Sequence, residues 1–319
     1  MCGLYGFSYY GDKPVKDLYK LTNALAKQSA QRGTDATGIA FNDKGKLAVC
    51  KEGKSAYSIL FKHSDNIKAL TGHTRHSTQG SEKKNYNNHP FYGQAGKTRF
   101  ALAHNGVIGN DDMLRRSYKL KKTKIETDSY IAVQLLEYKK CLDMKSIRFM
   151  AEALTGSFSF SILDNMNNLY LVKGDSPLSI LHFPEYRMYV YASTEEILWR
   201  ALIDTFLFDV IKSGKYEDVP IREGDILKIQ PDGKIGKGKF NYTDYLYTGM
   251  YRWDYDWDSL ENKSGGKAYA DKDLEYIDML KTMAQYYGYE PDIVDELLEG
   301  GFSTDEIEEY IYADGIEEI

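Results

Sequence analysis

Residues 1–9 read MCGLYGFSY and decide how the rest of the sequence is interpreted. The run Gly3–Tyr9 consists of small, apolar and aromatic residues with one serine, which predicts a buried first strand. A small second residue permits removal of Met1, and removal gives Cys2 a free α-amine. That amine titrates at about pH 8, so it can act as the base for the thiol of the same residue. A cysteine at this position is usually an ordinary residue, so its companions decide its role.

Strand and helix signals alternate over about the first 235 residues. Strands are predicted at 3–9, 38–41, 46–51, 69–78, 98–108, 157–164, 169–173, 189–192 and 224–229, and helices from Leu18 towards Gly33, at 128–141 and near 194–202. The strands come in consecutive pairs with helices between the pairs, which favours antiparallel sheets that each bury one face. We therefore predict an α+β fold of two stacked, mostly antiparallel sheets covered by helices.

The composition is that of a soluble globular protein, with 42% hydrophobic and 28% charged residues. No stretch approaches the roughly 18 apolar residues of a membrane span, and the start of the chain lacks a secretory signal. Cys2, Cys50 and Cys141 form no CxxC pair, which favours a reducing cytoplasm over a disulfide scaffold or a zinc site. We expect Cys50 and Cys141 to pack in the interior. No cofactor, metal, nucleic acid or membrane partner is expected.

Charge divides the chain into two parts. Residues 240–319 contain 21 acidic and 5 basic residues, whereas residues 1–239 contain 26 acidic and 36 basic residues. We predict a globular domain over 2–239, an aromatic-rich linker or wrap over 240–269 and a small acidic helical module over 270–319. The acidic part is either a solvated face or an arm that binds a partner. Its helices are predicted at 271–287, at 291–298 and at 307–311, the last after a capping box at 303–306.

A series of short motifs follows Cys2. They are RGTDATG at 32–38, GHTRHSTQG at 72–80, NHPF at 88–91, HNG at 104–106, ETD at 126–128, TGSFS at 155–159, KGDSPL at 173–178 and ASTE at 192–195. In this order they resemble the class II glutamine amidotransferases, the N-terminal-nucleophile family of the glutaminase domains in glucosamine-6-phosphate synthase and amidophosphoribosyltransferase. The resemblance covers about residues 2–230. It implies the four-layer αββα sandwich of N-terminal-nucleophile hydrolases.

The resemblance also implies three residues that bind free glutamine. Arg75 is expected to grip the α-carboxylate, because its guanidinium offers a planar fork of donors. Asp128 matches the acidic residue that binds the α-ammonium group, although an aspartate at the start of a helix can simply cap it. Thr78 is expected to add a hydroxyl contact.

Three further residues are implied in the chemistry. Cys2 is the expected nucleophile, and its attack on the amide carbonyl develops an oxyanion. Asn105 can donate to this oxyanion from its side-chain amide, and Gly106 from its backbone N–H. Without the resemblance, His-Asn-Gly would simply indicate a tight turn.

Supporting positions are expected for Arg32, Asp35, His76, His89 and His104. Arg32 and Asp35 are expected to hold the strand of the nucleophile. His89 and His104 have no required part in proton transfer and are expected to be structural or to position loops. Two residues depart from the family pattern, since His76 replaces a usual aromatic residue and Gln79 a frequent histidine. Both departures concern the loop that closes over glutamine, so they affect affinity and closure more than the chemistry.

The predicted reaction is hydrolysis of the glutamine side-chain amide through a Cys2 thioester, with release of glutamate and ammonia. About 80 residues follow the predicted domain, too few for the synthase domains usual in the family. The ammonia acceptor is therefore expected on a separate partner subunit. Two alternatives remain open: a hydrolase of another γ-glutamyl amide, and a non-catalytic scaffold that binds glutamine or a protein.

Overall fold

The computed structural model describes residues 2–242 and, farther along the chain, residues 277, 280, 281, 284, 289, 290, 292–300 and 307. The chain divides into two units, residues 1–253 and residues 254–319. Cys2 and the series of motifs from residue 32 to residue 195 all lie in the first unit.

The first unit contains a seven-stranded sheet with β1 at its centre. In spatial order its strands are β11 (Glu217–Asp218), β9 (Ser179–Phe183), β10 (Met188–Ala192), β1 (Gly3–Tyr9), β4 (Ala69–Arg75), β2 (Ala36–Asp43) and β3 (Lys46–Glu52). All seven residues of β1 are buried, as its apolar sequence predicts. β1 runs antiparallel to β4, and Gly3 pairs with Thr74. Extending this register by one residue places Cys2 opposite Arg75.

A second, six-stranded sheet completes the β-structure of the described part of this unit. Its strands, in spatial order, are β13 (Ile235–Lys239), β12 (Asp225–Ile229), β8 (Leu169–Lys173), β7 (Gly156–Asp164), β6 (Thr98–Ile108) and β5 (Phe91–Ala95). Every neighbouring pair is antiparallel. β6 has 11 residues and carries the His-Asn-Gly motif near its end.

Helices cover the outer face of each sheet. They are α1 (Leu18–Ser29), α2 (Asp111–Ser117), α3 (Tyr130–Lys139), α4 (Met144–Ala153), α5 (Glu195–Leu202) and α6 (Phe208–Lys212), with 3₁₀ turns at Ala30–Arg32, Ala56–Ser58, Asn85–Asn87 and Pro184–Tyr186. One apolar core lies between the first sheet and α1, α5 and α6, and another between the second sheet and α2, α3 and α4. A third lies between the two sheets. The unit is a four-layer α-β-β-α sandwich, and the predicted fold class is confirmed.

Hydroxyl groups connect the two sheets inside this sandwich. The hydroxyl of Tyr191 on β10 donates to Thr71 Oγ1 on β4 at 3.0 Å. Thr71 Oγ1 in turn lies 2.5 Å from Ser161 Oγ on β7, in the other sheet. All three residues are fully buried. Because a buried hydroxyl that loses its partner is costly, these contacts hold the two sheets in one relative position.

Several predicted elements have the observed bounds, and others were missed. The strands at 3–9, 98–108 and 169–173 agree with the structure, whereas the helix predicted at 128–141 spans Tyr130–Lys139. β5, β9, α2 and α4 were not predicted. β5 shows why: its buried and exposed positions alternate over only five residues, and glycine and glutamine interrupt its apolar pattern.

The expectation that Cys50 and Cys141 pack in the interior is wrong, because both are exposed. Cys50 lies on β3, which forms one edge of the first sheet and leaves part of its surface in solvent. Cys141 follows the last turn of α3 and lies beyond the apolar face of that helix.

In the second unit the structure describes one helix, α7 (Ile293–Glu299), with Val294 and Leu297 buried. It overlaps the helix predicted at 291–298. Residues 277, 280, 281, 284 and 307 are also helical. The predicted linker beyond residue 242 and the predicted capping box lie outside the described residues. None of the helices described in either unit is both long enough and apolar enough to cross a membrane.

Candidate active site

Cys2 lies at the start of β1 and is half-buried. Its carbonyl oxygen accepts a hydrogen bond from Arg32 Nε at 2.7 Å, and its Sγ lies 3.6 Å from the carbonyl oxygen of His76. Arg32 belongs to the 3₁₀ turn after α1. The end of this helix therefore holds the main chain of Cys2 in place.

The charges around Cys2 act on the pKa of its thiol. Burial raises this pKa above its ordinary value, whereas the backbone of His76 and the positive charge of Arg75 act in the opposite direction. The negative charge of Asp128 adds to the rise. The thiol is therefore protonated near neutral pH and needs a base before it can act as a nucleophile. The register of β1 with β4 places Arg75 opposite Cys2.

The guanidinium of Arg75 is buried and uses three of its five N–H groups within the protein. Nη1 donates to Asn88 Oδ1 at 2.8 Å, and Nη2 donates to the carbonyl oxygens of Gln79 at 2.6 Å and Gly80 at 2.7 Å. One N–H on Nε and one on Nη1 have no partner among the described residues. A carboxylate that binds a guanidinium through both oxygens needs two parallel N–H groups, and every such pair includes an N–H of Nη2. Bidentate binding at Arg75 therefore requires the carbonyl oxygens of Gln79 and Gly80 to release Nη2.

Asn88 was not predicted as a site residue, although it stands in the quoted NHPF motif. It is fully buried, and besides accepting from Arg75 it donates through Nδ2 to the carbonyl oxygen of Glu82 at 2.8 Å. Lys51 Nζ donates to the carbonyl oxygen of Asn88 at 2.5 Å. The sequence gives only a weak signal of this role, because asparagine before His-Pro is typical of a turn.

Asp128 is a buried carboxylate with two donors from the protein. Oδ2 accepts from the N–H of Ile108 at 2.7 Å, and Oδ1 accepts from the hydroxyl of Ser129 at 3.2 Å. These bonds offset part of the cost of removing the charge from water. Each carboxylate oxygen can accept a second hydrogen bond, so the group retains capacity for a cationic ligand.

Gln79 contacts both charged residues. Its carbonyl oxygen accepts from Arg75 Nη2, and its side-chain Oε1 accepts from the N–H of Asp128 at 3.1 Å. Gln79, where the sequence departs from the family pattern, thus lies between Arg75 and Asp128. These two residues are expected to bind the two ends of an amino-acid head group.

Asn105 and Gly106 occupy consecutive positions near the end of β6. The side-chain Nδ2 of Asn105 is buried and has no hydrogen-bond partner among the described residues. An unpaired buried donor costs about 1–3 kcal/mol, so it indicates a group with a partner outside the protein. Gly106 has φ +138°, and a Cβ there would lie 2.0 Å from the carbonyl oxygen of Ser157 on β7. Only glycine fits this position.

Asp35 holds the loop that follows β4. Its Oδ2 accepts from the N–H of Ser77 at 2.7 Å and lies 3.9 Å from His76 Nδ1. Its own N–H donates to the carbonyl oxygen of Arg75 at 3.0 Å. The side chains of His76 and Thr78 are exposed. Of these two, the structure brings only His76 close to another predicted site residue.

Three buried histidines, His73, His89 and His104, lie beside the site. The ring centroids of His73 and His89 are 4.1 Å apart, and those of His89 and His104 are 6.5 Å apart. Burial lowers the pKa of all three imidazoles, to about 3 for His73, so they are neutral near pH 7. Among the described residues, no group of three or more histidine, cysteine, aspartate or glutamate side chains could hold a metal ion.

Residues 73–199 match the family model described as a glutamine amidotransferase domain. The glutamine–fructose-6-phosphate aminotransferase (isomerizing) of Bacillus anthracis is 34% identical over 188 residues, which are 56% of this chain and 30% of the relative. The protein of the same name from Listeria innocua is 35% identical over the same shares. The chain thus spans about three-tenths of the length of the curated relatives it matches.

Two solved structures share the fold. One is described as the allosteric regulatory enzyme of purine biosynthesis, with a TM-score of 0.58 and 21% identity over 76% of this chain and 50% of that chain. The other is the glutamine phosphoribosylpyrophosphate amidotransferase from B. subtilis, with a TM-score of 0.57 and 22% identity over the same shares.

Gly106→Ala is expected to destabilise the protein, because the added Cβ overlaps the backbone of β7 and the positive φ disfavours a side chain. We expect a cost of about 2 kcal/mol or more, which corresponds to a melting temperature lower by about 4–8 °C. Thermal unfolding followed by circular dichroism measures the shift. The neighbouring Val107→Ala is the control, since Val107 is 46% exposed and should change little. Equal melting temperatures for the two variants would contradict the assigned backbone geometry.

Proposed function

The chain carries a class II glutamine amidotransferase domain, and we propose that this domain hydrolyses the side-chain amide of glutamine with Cys2 as the nucleophile. The observation that carries the proposal is that the β1–β4 register places Cys2 opposite Arg75, and that hydrogen bonds of Gln79 join Arg75 to Asp128. A cation, an anion and a thiol in one place match the carboxylate, the ammonium group and the amide of free glutamine. The printed names of the curated relatives, which include glutamine, support the same substrate.

The reaction proceeds in two halves once Met1 has been removed. The α-amine of Cys2 takes the thiol proton, directly or through a water molecule, and the sulfur bonds to the amide carbon. The amine then returns this proton to the amide nitrogen, the C–N bond breaks, and ammonia leaves behind a thioester. In the second half a water molecule gives a proton to the amine and attacks the thioester carbon. The C–S bond breaks, glutamate leaves, and the sulfur regains its proton.

Asn105 and Gly106 stabilise the negative oxygen that forms in each half. The unpaired Nδ2 of Asn105 supports this role, since a donor that is buried in advance needs no rearrangement when the charge develops. Gly106 brings its backbone N–H to the same segment of β6 without a side chain in the way.

The head group of glutamine binds between Arg75 and Asp128. The α-carboxylate binds Arg75 by replacing the carbonyl oxygens of Gln79 and Gly80 as acceptors of Nη2. Substrate binding is thereby coupled to a movement of the loop after β4. The α-ammonium group uses the remaining acceptor capacity of Asp128. Because Gln79 contacts both residues, it links the two ends of the head-group site.

A separate synthase subunit is the proposed acceptor of the ammonia. The curated relatives are named for amination of fructose 6-phosphate, but the match covers only 30% of each relative. We expect the purified chain of these 319 residues, given glutamine and fructose 6-phosphate, to release ammonia and glutamate in equal amounts and to form no amino sugar. Product analysis by mass spectrometry checks this, and an amino sugar formed by the protein alone would contradict it.

Cys2→Ala is expected to abolish ammonia release while the melting temperature stays within about 2 °C, since a single surface-proximal sulfur contributes little packing. The purified wild-type protein should have a mass that lacks one methionine. A glutamine-shaped diazo-ketone should label Cys2 once, and glutamine should protect it. Because Cys50 and Cys141 are exposed, general thiol reagents react there too, so protection by glutamine is the informative control. Protection at Cys50 or Cys141 instead would refute the assignment.

Asn105→Ala and Arg75→Lys should affect different kinetic constants. Asn105 acts on the transition state, so its loss should lower kcat on the order of 100-fold with little change in KM. Arg75→Lys keeps the charge but loses the planar fork, so it should raise KM by about tenfold and affect kcat less. Steady-state kinetics with glutamine separates the two. An Asn105→Ala variant altered only in KM would show that Asn105 does not stabilise the oxyanion.

A further inference from the structure

A row of buried polar groups leads from β6 to Asp128. His104 Nδ1 lies 2.8 Å from the hydroxyl oxygen of Ser129, and this hydroxyl lies 3.2 Å from Asp128 Oδ1. His104 is 1% exposed, Ser129 4% and Asp128 6%. Solvent therefore has almost no access to any of the three groups.

The chemistry of these groups fixes the direction of the hydrogen bonds. A carboxylate can only accept, so the single hydroxyl proton of Ser129 is donated to Asp128. The other ring nitrogen of His104, Nε2, lies 3.4 Å from the carbonyl oxygen of Ser157, a longer contact than the 2.8 Å between Nδ1 and Ser129. Because the hydrogen bond of Ser129 to the charged carboxylate is the stronger one, the hydroxyl oxygen accepts from His104, which assigns the proton of the neutral imidazole to Nδ1. Burial lowers the pKa of His104, and the charge of Asp128 opposes this only in part. The neutral imidazole with its proton on Nδ1 is thus the form present near pH 7.

His104 is also tied to the opposite sheet and to the segment that carries Asn105. Its carbonyl oxygen lies 2.9 Å from His73 Nε2, so the imidazole of His73 donates to it. His73 stands two residues before Arg75 on β4. The ring of His104 stacks on Phe160 at 4.7 Å, which fixes the plane of the imidazole. Both the main chain and the ring of His104 are therefore held in fixed positions.

We propose that His104 and Ser129 are positioning residues that orient the carboxylate of Asp128 towards the α-ammonium group of the substrate. This rests on the proposed function, in which Asp128 receives that group. Ile108 holds Oδ2 of the carboxylate, and Ser129 holds Oδ1. With both oxygens held, the plane of the carboxylate is fixed before the substrate arrives. Without the hydrogen bond from Ser129, the carboxylate can rotate about its bond to the β-carbon, and its oxygens no longer face the substrate.

The test compares two ligands that differ only in the ammonium group. Glutamate carries it, and glutarate does not. We expect Ser129→Ala to weaken glutamate binding about tenfold, the size of one hydrogen bond to a charged group, and glutarate binding less than about twofold. Isothermal titration calorimetry on the full chain measures both. Ser129→Thr restores the hydroxyl and should bind glutamate like the wild-type protein.

A second pair of variants tests the imidazole. His104→Phe keeps a ring against Phe160 but removes the donor, and should reproduce the selective loss of glutamate binding. His104→Asn places an amide N–H near the position of Nδ1 and should retain most of the affinity for glutamate. Ser117→Ala, at the exposed end of α2, is the matched control for loss of a serine hydroxyl and should change neither ligand.

The outcomes separate this inference from the function on which it rests. Equal weakening of glutamate and glutarate in Ser129→Ala, or no weakening of either, would overturn the positioning role. Failure of both Ser129→Thr and His104→Asn to retain glutamate binding would overturn it as well. A wild-type protein that binds glutamate no better than glutarate would instead contradict the assignment of Asp128 to the ammonium group.

Discussion

The pairing of β1 with β4 is the constraint on which the site depends. It places Gly3 opposite Thr74, so the chain continues from there to Cys2 on one strand and Arg75 on the other. The strands can approach the end of α1 this closely because Gly3 has no side chain: a Cβ would lie 2.5 Å from Thr74 Oγ1 and 3.0 Å from the carbonyl oxygen of Ser29. Since side chains alternate along a strand, a shift of one residue would exchange the two faces of β1. The register therefore places the residue that carries the thiol opposite the residue that carries the guanidinium.

Buried charge is the second constraint, and the protein meets it differently at its two charged residues. Arg75 is surrounded by acceptors that are neutral, namely the side chain of Asn88 and the carbonyl oxygens of Gln79 and Gly80. Neutral acceptors satisfy the N–H groups without cancelling the charge, so an anionic ligand still gains from displacing them. Asp128 is likewise held by neutral donors rather than by a cation. Neither residue forms an ion pair within the described part of the chain, and both keep their charge for a ligand.

The sequence was sufficient to predict the layers of the fold, but not the contacts among the candidate site residues. β1 and β8 are dense apolar segments, so their bounds follow from pattern alone. β5 is too short and too polar for that. Asn88 and Ser129 illustrate the limit at the site, because their roles come from where the fold places Arg75 and Asp128, and no local pattern encodes those distances. Cys50 illustrates the same limit for burial. Its neighbours in the sequence predict a strand, but they do not show that this strand, β3, lies at the edge of the sheet.

β6 connects the two halves of the proposed reaction site. Asn105 and Gly106 are the residues proposed to stabilise the oxyanion, and two residues after Gly106 the N–H of Ile108 donates to Asp128, which is assigned to the ammonium group. Two residues of strand span about 7 Å. On the proposed function, the separation between the reacting amide and the head group is thereby set within one strand, whose residues 105–108 pair with β7. A strand paired in a fixed register keeps its rise per residue, so this distance is fixed by the pairing with β7. On the proposed function, the length of the substrate side chain is therefore selected by the backbone of β6 itself.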